Sequence, residues 1–152
     1  MAHTCEIKQQ AAQHTLVVRK HTAGSDLPAF FGAAYGAVMQ YLGALGEAPV
    51  GPPFALYHNM DMQDLDLEIG FPFALPVGGG GEILAGEIPG GKAAGCLHVG
   101  PYDQVGAAYR ALQKWIEAGG YTPSGVAYES YLNDPQTTPA AELQTQVVFP
   151  LK

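Results

Sequence analysis

The chain has 152 residues, enough for one domain or for two half-size units sharing a core. A hydrophobic share of 47% supplies that core without disulfides or metals, while 14 acidic against 7 basic side chains give a net charge of -7, which repels phosphate backbones and argues against direct nucleic-acid contact. No apolar run is long enough to span a bilayer, and the N-terminus has neither a basic nor an apolar leader region, so no membrane span and no export are expected and the cytoplasm is the expected location.

The first β-leaning segments lie at about 6–8 and 15–22, the second rich in branched side chains at Thr15-Leu16-Val17-Val18. A helix follows: Leu27, Phe31, Ala34, Tyr35, Val38, Leu42 and Leu45 recur with helical spacing and form one stripe, with Ser25 or Asp26 as its expected cap and Pro28 in its first turn. Two strands come next, at about 54–59 and 65–73, and then the seam Pro76-Val77-Gly78-Gly79-Gly80-Gly81, a flexible linker by composition. Beyond it the order returns. Strands at about 83–87 and 93–99 precede a helix with the stripe Val105, Ala108, Tyr109, Leu112, Trp115 and Ile116, which Gly119-Gly120 stops; strands at about 126–132 and 143–149 end the chain.

The second half repeats the first. At an offset of 74, residues 32–46 and 106–120 are identical at seven of fifteen positions, Tyr35 falling on Tyr109. The same offset pairs Pro49 with Pro123, Gly51 with Gly125, Tyr57 with Tyr131 and Asn59 with Asn133; with small shifts His21 meets His98, and Leu65, Phe71 and Pro72 meet Leu143, Phe149 and Pro150. The expected architecture is α+β, a single domain of two strand-helix-strand-strand repeats, about 1–76 and 82–152, joined through Gly78–Gly81 and related by a pseudo-two-fold axis.

Strand alternation then assigns faces. Leu65, Leu67, Ile69 and Phe71 turn toward a helix, which sends Asp66 and Glu68 the other way. Ala127, Glu129, Tyr131 and Asn133 share one side of their strand, and Ala55, Tyr57 and Asn59 occupy the corresponding places in the first half. If those faces meet, aromatic and carboxylate groups line a central groove that suits a flat or cationic organic ligand. Glu129 is the informative residue, because Ala55 holds its place in the other repeat and symmetric packing therefore needs no acid there. Its bland alternative is an edge glutamate paired with a neighbour.

Other motifs point away from chemistry. Gly86-Glu87-Ile88-Pro89-Gly90-Gly91-Lys92-Ala93 has phosphate-loop spacing, but Ala93 lacks the magnesium-binding hydroxyl and a strand follows where a helix is needed, so it reads as a turn. Asp61, Asp64, Asp66 and Glu68 lack calcium-loop spacing and read as a solvated loop entering a strand. His3, His14, His21, His58 and His98 show no metal-binding pattern, so no metal or cofactor is expected; His21 and His98 are expected to make a structural hydrogen bond at the corner before each helix. Ser124 and Ser130 lack a nucleophile elbow, and Cys5 and Cys96, far apart in the chain, read as two buried reduced thiols.

Five segments in order then carry a resemblance: Thr15-Leu16-Val17-Val18-Arg19, Asp66-Leu67-Glu68-Ile69-Gly70-Phe71-Pro72, Ile88-Pro89-Gly90-Gly91-Lys92, His98-Val99-Gly100-Pro101-Tyr102 and Tyr128-Glu129-Ser130-Tyr131-Leu132-Asn133-Asp134-Pro135. Across essentially its whole length the chain resembles the GyrI-like small-molecule-binding domain, which also forms the effector-binding domain of AraC-type and MerR-type multidrug regulators. The resemblance implies a groove for hydrophobic, often cationic drugs, with the family's glutamate on Glu129, aromatic groove residues on Tyr57, Tyr131, Phe54 and Phe71, and Glu68 as a second acid. No helix-turn-helix precedes the domain, so a stand-alone binder of a hydrophobic or cationic xenobiotic is the first expectation. The alternatives are a hydrolase that opens cyclopropane-bearing DNA-alkylating natural products, with Glu129 as general base and Tyr57 or Tyr131 as proton donor, and a gyrase-inhibitor-like module with a protein partner.

Overall fold

The computed structural model describes residues 4–59, 61–73, 78–134 and 136–152; His3, Pro76, Val77 and Pro135 lie outside them. Two compact units form, one of Ala12–Pro89 and one of Met1–Ala11 with Gly90–Lys152.

The first of these contains β2 (Gln13–Thr22), α1 (Leu27–Leu45), β3 (Phe54–Tyr57), β4 (Leu65–Phe73) and β5 (Leu84–Ile88), with β1 (Cys5–Gln10) preceding it in the chain. All its strand pairs are antiparallel, in the order β3-β4-β2-β5. The branched run that predicts β2 places Leu16 in a core with Val38, Leu42, Phe73 and Ile83, against which Phe71 and Tyr41 pack. Along β4, Leu65, Leu67 and Ile69 are buried while Asp66 and Glu68 are only partly so, the expected alternation. Strands β2 and β4 approach so closely at Gly70 that a Cβ there would lie 1.9 Å from the Leu16 carbonyl oxygen. Gly46 ends α1 in the left-handed region at φ 72°, its amide reaching the Leu42 carbonyl.

The second unit sets β6 (Gly91–Val99), α2 (Gly106–Ala118), β7 (Ala127–Tyr131) and β8 (Gln144–Pro150) together with β1, in the order β1-β6-β8-β7, again antiparallel throughout. Its core is Ala94, Cys96, Ala108, Leu112, Ile116, Ala127, Val147 and Phe149. Both units therefore run strand, helix, strand, strand, with an outer strand added beside the first. That outer strand comes from across the seam: β5 follows Gly78–Gly81 yet pairs with β2, and β1 pairs with β6.

Some contacts inside the two units have the same form. Tyr35 meets Phe71 with ring centroids 5.5 Å apart and Tyr109 meets Phe149 at 5.7 Å. Asn59 accepts from the Asp66 amide and donates to the Asp64 carbonyl; Asn133 does the same with Gln144 and Glu142. Both asparagines are loop clamps.

Three expectations differ. Asp26 occupies the cap position of α1, but its side chain caps nothing, because a short 3-10 turn, Gly24–Asp26, leads directly into the helix. The seam glycines are fastened rather than loose: Gly80 and Ile83 exchange two backbone hydrogen bonds, and the Tyr41 hydroxyl donates to the Gly78 carbonyl at 2.7 Å. His21 and His98 are not equivalent. Lys20 pairs with Leu67 as His98 pairs with Thr145, so a one-residue slip separates the histidines and turns them to opposite faces. His98 is 4% exposed, with Nε2 donating to the Pro101 carbonyl at 3.1 Å, whereas His21 is exposed beside Asp64. The segment with phosphate-loop spacing is β5, a turn and β6, as expected. Among the described residues no helix is long and apolar enough to cross a membrane.

Candidate functional site

Strand register brings the polar groups of the second unit together. Glu129 lies opposite Val147, which lies opposite Cys96; one step along, Tyr131 lies opposite Thr145, which lies opposite His98. Directly opposed residues in an antiparallel pair share a face. Since Ala127, Val147 and Cys96 form the core beneath α2, Glu129, Tyr131, Thr145 and His98 also point to the helix side.

Glu129 is 7% exposed. The Tyr109 hydroxyl, carried down from α2, donates to its Oε2 at 2.5 Å, and the Tyr131 hydroxyl donates to Oε1 at 3.1 Å. Burial pushes the carboxyl above its ordinary 4.5, while the two phenolic hydrogen bonds and the nearby His98 pull it partly back. None of the ion pairs among the described residues involves Glu129. The Tyr102 ring stands edge-on to Tyr131, centroids 5.5 Å apart, and burial first, then Asp134 and Glu129, push its hydroxyl pKa up. Thr145 is 0% exposed, and its hydroxyl has no hydrogen-bond partner among the described residues.

The structure thus joins Glu129 to Tyr131, as the sequence suggests, and adds Tyr109, Tyr102, His98 and Thr145. Tyr109 was legible only as a core residue. Its signal is the pairing with Tyr35: where Ala55 stands in the place of Glu129, the Tyr35 hydroxyl donates to the Phe54 carbonyl at 3.3 Å.

The remaining predicted residues belong to the other unit. Phe54 is 1% exposed and Tyr57 9% exposed, both on β3. Phe71 packs against Tyr35 and the α1 core. Glu68 faces away from that core and is already partnered, with His58 Nε2 lying 2.5 Å from its Oε2. Asp66 beside it is held below the usual carboxylate range by the bidentate Arg19 guanidinium. Among the described residues no group of three or more His, Cys, Asp or Glu side chains could hold a metal ion.

A family model described as GyrI-like small molecule binding domain matches residues 3–152. No curated protein matches. Among solved structures, the EcmrR C-terminal domain is 23% identical with a TM-score of 0.84, over 100% of this chain and 99% of that one. In the EcmrR–DNA complex the likeness is 23% identity and a TM-score of 0.88, over 99% of this chain, which spans 57% of that longer one. A hydrolase from Listeria innocua is 14% identical with a TM-score of 0.68, over 98% of this chain and 92% of that one. SAV2435, solved bound to tetraphenylphosphonium, is 10% identical with a TM-score of 0.67, over 98% and 94%. At these identities the likeness shows the fold alone.

Proposed function

Because the chain belongs to the GyrI-like small molecule binding domain family, we propose that it binds a hydrophobic organic cation, with the Glu129 carboxylate facing the positive charge. One observation carries this reading: a carboxylate only 7% exposed, held by two phenols and joined to no basic side chain in any ion pair among the described residues. A charge this buried is costly even with His98 nearby, and a cation about 4 Å away returns on the order of 4 kcal/mol at an effective dielectric of 20, part of it cancelled by desolvation. Glu68, the other acid, has His58 as partner and is the weaker choice. The aromatic edges of Tyr102 and Tyr131 suit a ligand that is apolar outside its charge. That SAV2435 holds tetraphenylphosphonium, a lipophilic cation, supports the ligand class.

The test is titration of tetraphenylphosphonium into the protein and into Glu129→Gln, which keeps the shape and removes the charge. The expected result is a roughly 10- to 100-fold weaker affinity in the variant, at about 1.4 kcal/mol per decade. Equal affinities would remove Glu129 from the site.

A second reading has its own support: a carboxyl whose pKa burial raises beside phenolic donors can serve as general base, and one structural relative is a hydrolase. Glu129 would take a proton from water attacking a strained ring while Tyr131 donates to the developing oxyanion. Turnover separates the readings. A hydrolase at trace concentration consumes an excess of an electrophilic cyclopropane compound, whereas a binder protects only a stoichiometric amount.

A further inference from the structure

Cys5 and Cys96, remote in the chain, are direct partners in the antiparallel register of β1 and β6. Both are free thiols, Cys96 buried and Cys5 half-buried, and both pack into the same core cluster, so their side chains leave the sheet on the same face. Opposed residues of an antiparallel pair have Cα atoms about 4.5 or 5.5 Å apart, within the range of about 4.4 to 6.8 Å that a disulfide spans. Their sulfurs also interact: burial, and then the neighbouring Cys5, push the Cys96 thiol up to about 12.

We propose that Cys5 and Cys96 are an oxidisable pair, closing to an intrachain disulfide by exchange with a small-molecule disulfide. Cys5, the more accessible sulfur, attacks first as thiolate; one S–S bond of the reagent breaks, its first half leaves as a thiol after taking up a proton, and Cys5 carries the mixed disulfide. Cys96 then gives up its proton and attacks the Cys5 sulfur, forming the Cys5–Cys96 bond and releasing the second half as a thiol. Two protein thiols are oxidised and one reagent disulfide is reduced to two thiols. The closed form pins the outer strand β1 to β6 in the row that continues through Val147 to Glu129.

The experiment treats the folded protein with oxidised glutathione and follows free thiols, intact mass and thermal midpoint. The proposal predicts loss of both thiols, a monomer lighter by two hydrogen atoms, and a midpoint raised by roughly 10 °C because the bond closes a loop of about 90 residues in the unfolded chain. Cys5→Ser should remain unreactive, and Cys96→Ala should stop at a glutathione adduct on Cys5. Both thiols surviving, a wild-type chain that stops at the mixed disulfide, or covalent dimers in place of the monomeric bridge would overturn it. So would a bridged monomer with an unchanged or lowered midpoint, which would show that the strands do not present the pair in bonding geometry.

Discussion

The Tyr109 and Tyr131 hydroxyls donate to the two oxygens of Glu129, and each hydrogen bond favours the ionised form against the burial that disfavours it. Removing one donor should therefore move the carboxyl further upward. Tyr109→Phe is expected to shift the pH at which cation affinity is half-maximal to a higher value, while Tyr35→Phe, which removes the hydroxyl that donates to the Phe54 carbonyl in the other unit, leaves it in place; affinity measured across a pH series in each variant checks this. The stability sign follows from the same shift. A carboxyl raised above 4.5 in the folded state binds its proton more tightly folded than unfolded, so its contribution is favourable in acid and is lost as pH rises through the folded-state pKa. Glu129→Gln should accordingly gain in thermal midpoint relative to the parent on going from below pH 4.5 to neutrality, a trend that melting curves at several pH values will read directly.

Among the elements of the described residues, both helices and all eight strands lie within a few residues of where the sequence places them; the period is clearest in β4 and α2, which bury one face, and weakest in β1 and β5, which do not. What it could not supply was pairing. β1 and β5 look local in the chain, yet each lies beside a strand from across the seam, a tertiary choice that no local pattern encodes. The His21–His98 equivalence failed for a related reason: strand period is two, so one residue of misalignment reverses the face. Glu129 was visible because the repeat lacks an acid at Ala55; the role of Tyr109 was hidden because an amphipathic stripe cannot say which ring carries a hydroxyl to a partner. With a Cβ 1.9 Å from the Leu16 carbonyl oxygen, Gly70→Ala must separate β2 from β4 and should cost about 2 kcal/mol or more, measurable by denaturant unfolding. By contrast Gly46→Ala, at φ 72° with open space around it, pays only for its backbone and should cost about 1 kcal/mol.

For the molecule as a whole, two units of one topology differ in chemistry. One pairs Asp66 with Arg19 and Glu68 with His58 on the face away from the helix; the other buries Glu129, the one buried carboxylate among the described residues, beneath its helix among phenols. The second arrangement is an expensive one for stability alone, and that cost is the reason for proposing the ligand there. Its most direct test is the affinity of tetraphenylphosphonium as a function of pH, measured by calorimetry on the parent and on Glu129→Gln, with triphenylphosphine oxide as an uncharged comparison. The parent is expected to tighten as pH rises through the raised Glu129 pKa, the variant to be roughly 10- to 100-fold weaker at neutral pH and flat across the series, and the uncharged compound barely to distinguish the two proteins. Parent and variant curves that coincide for the cation would contradict a charge-bearing role for Glu129.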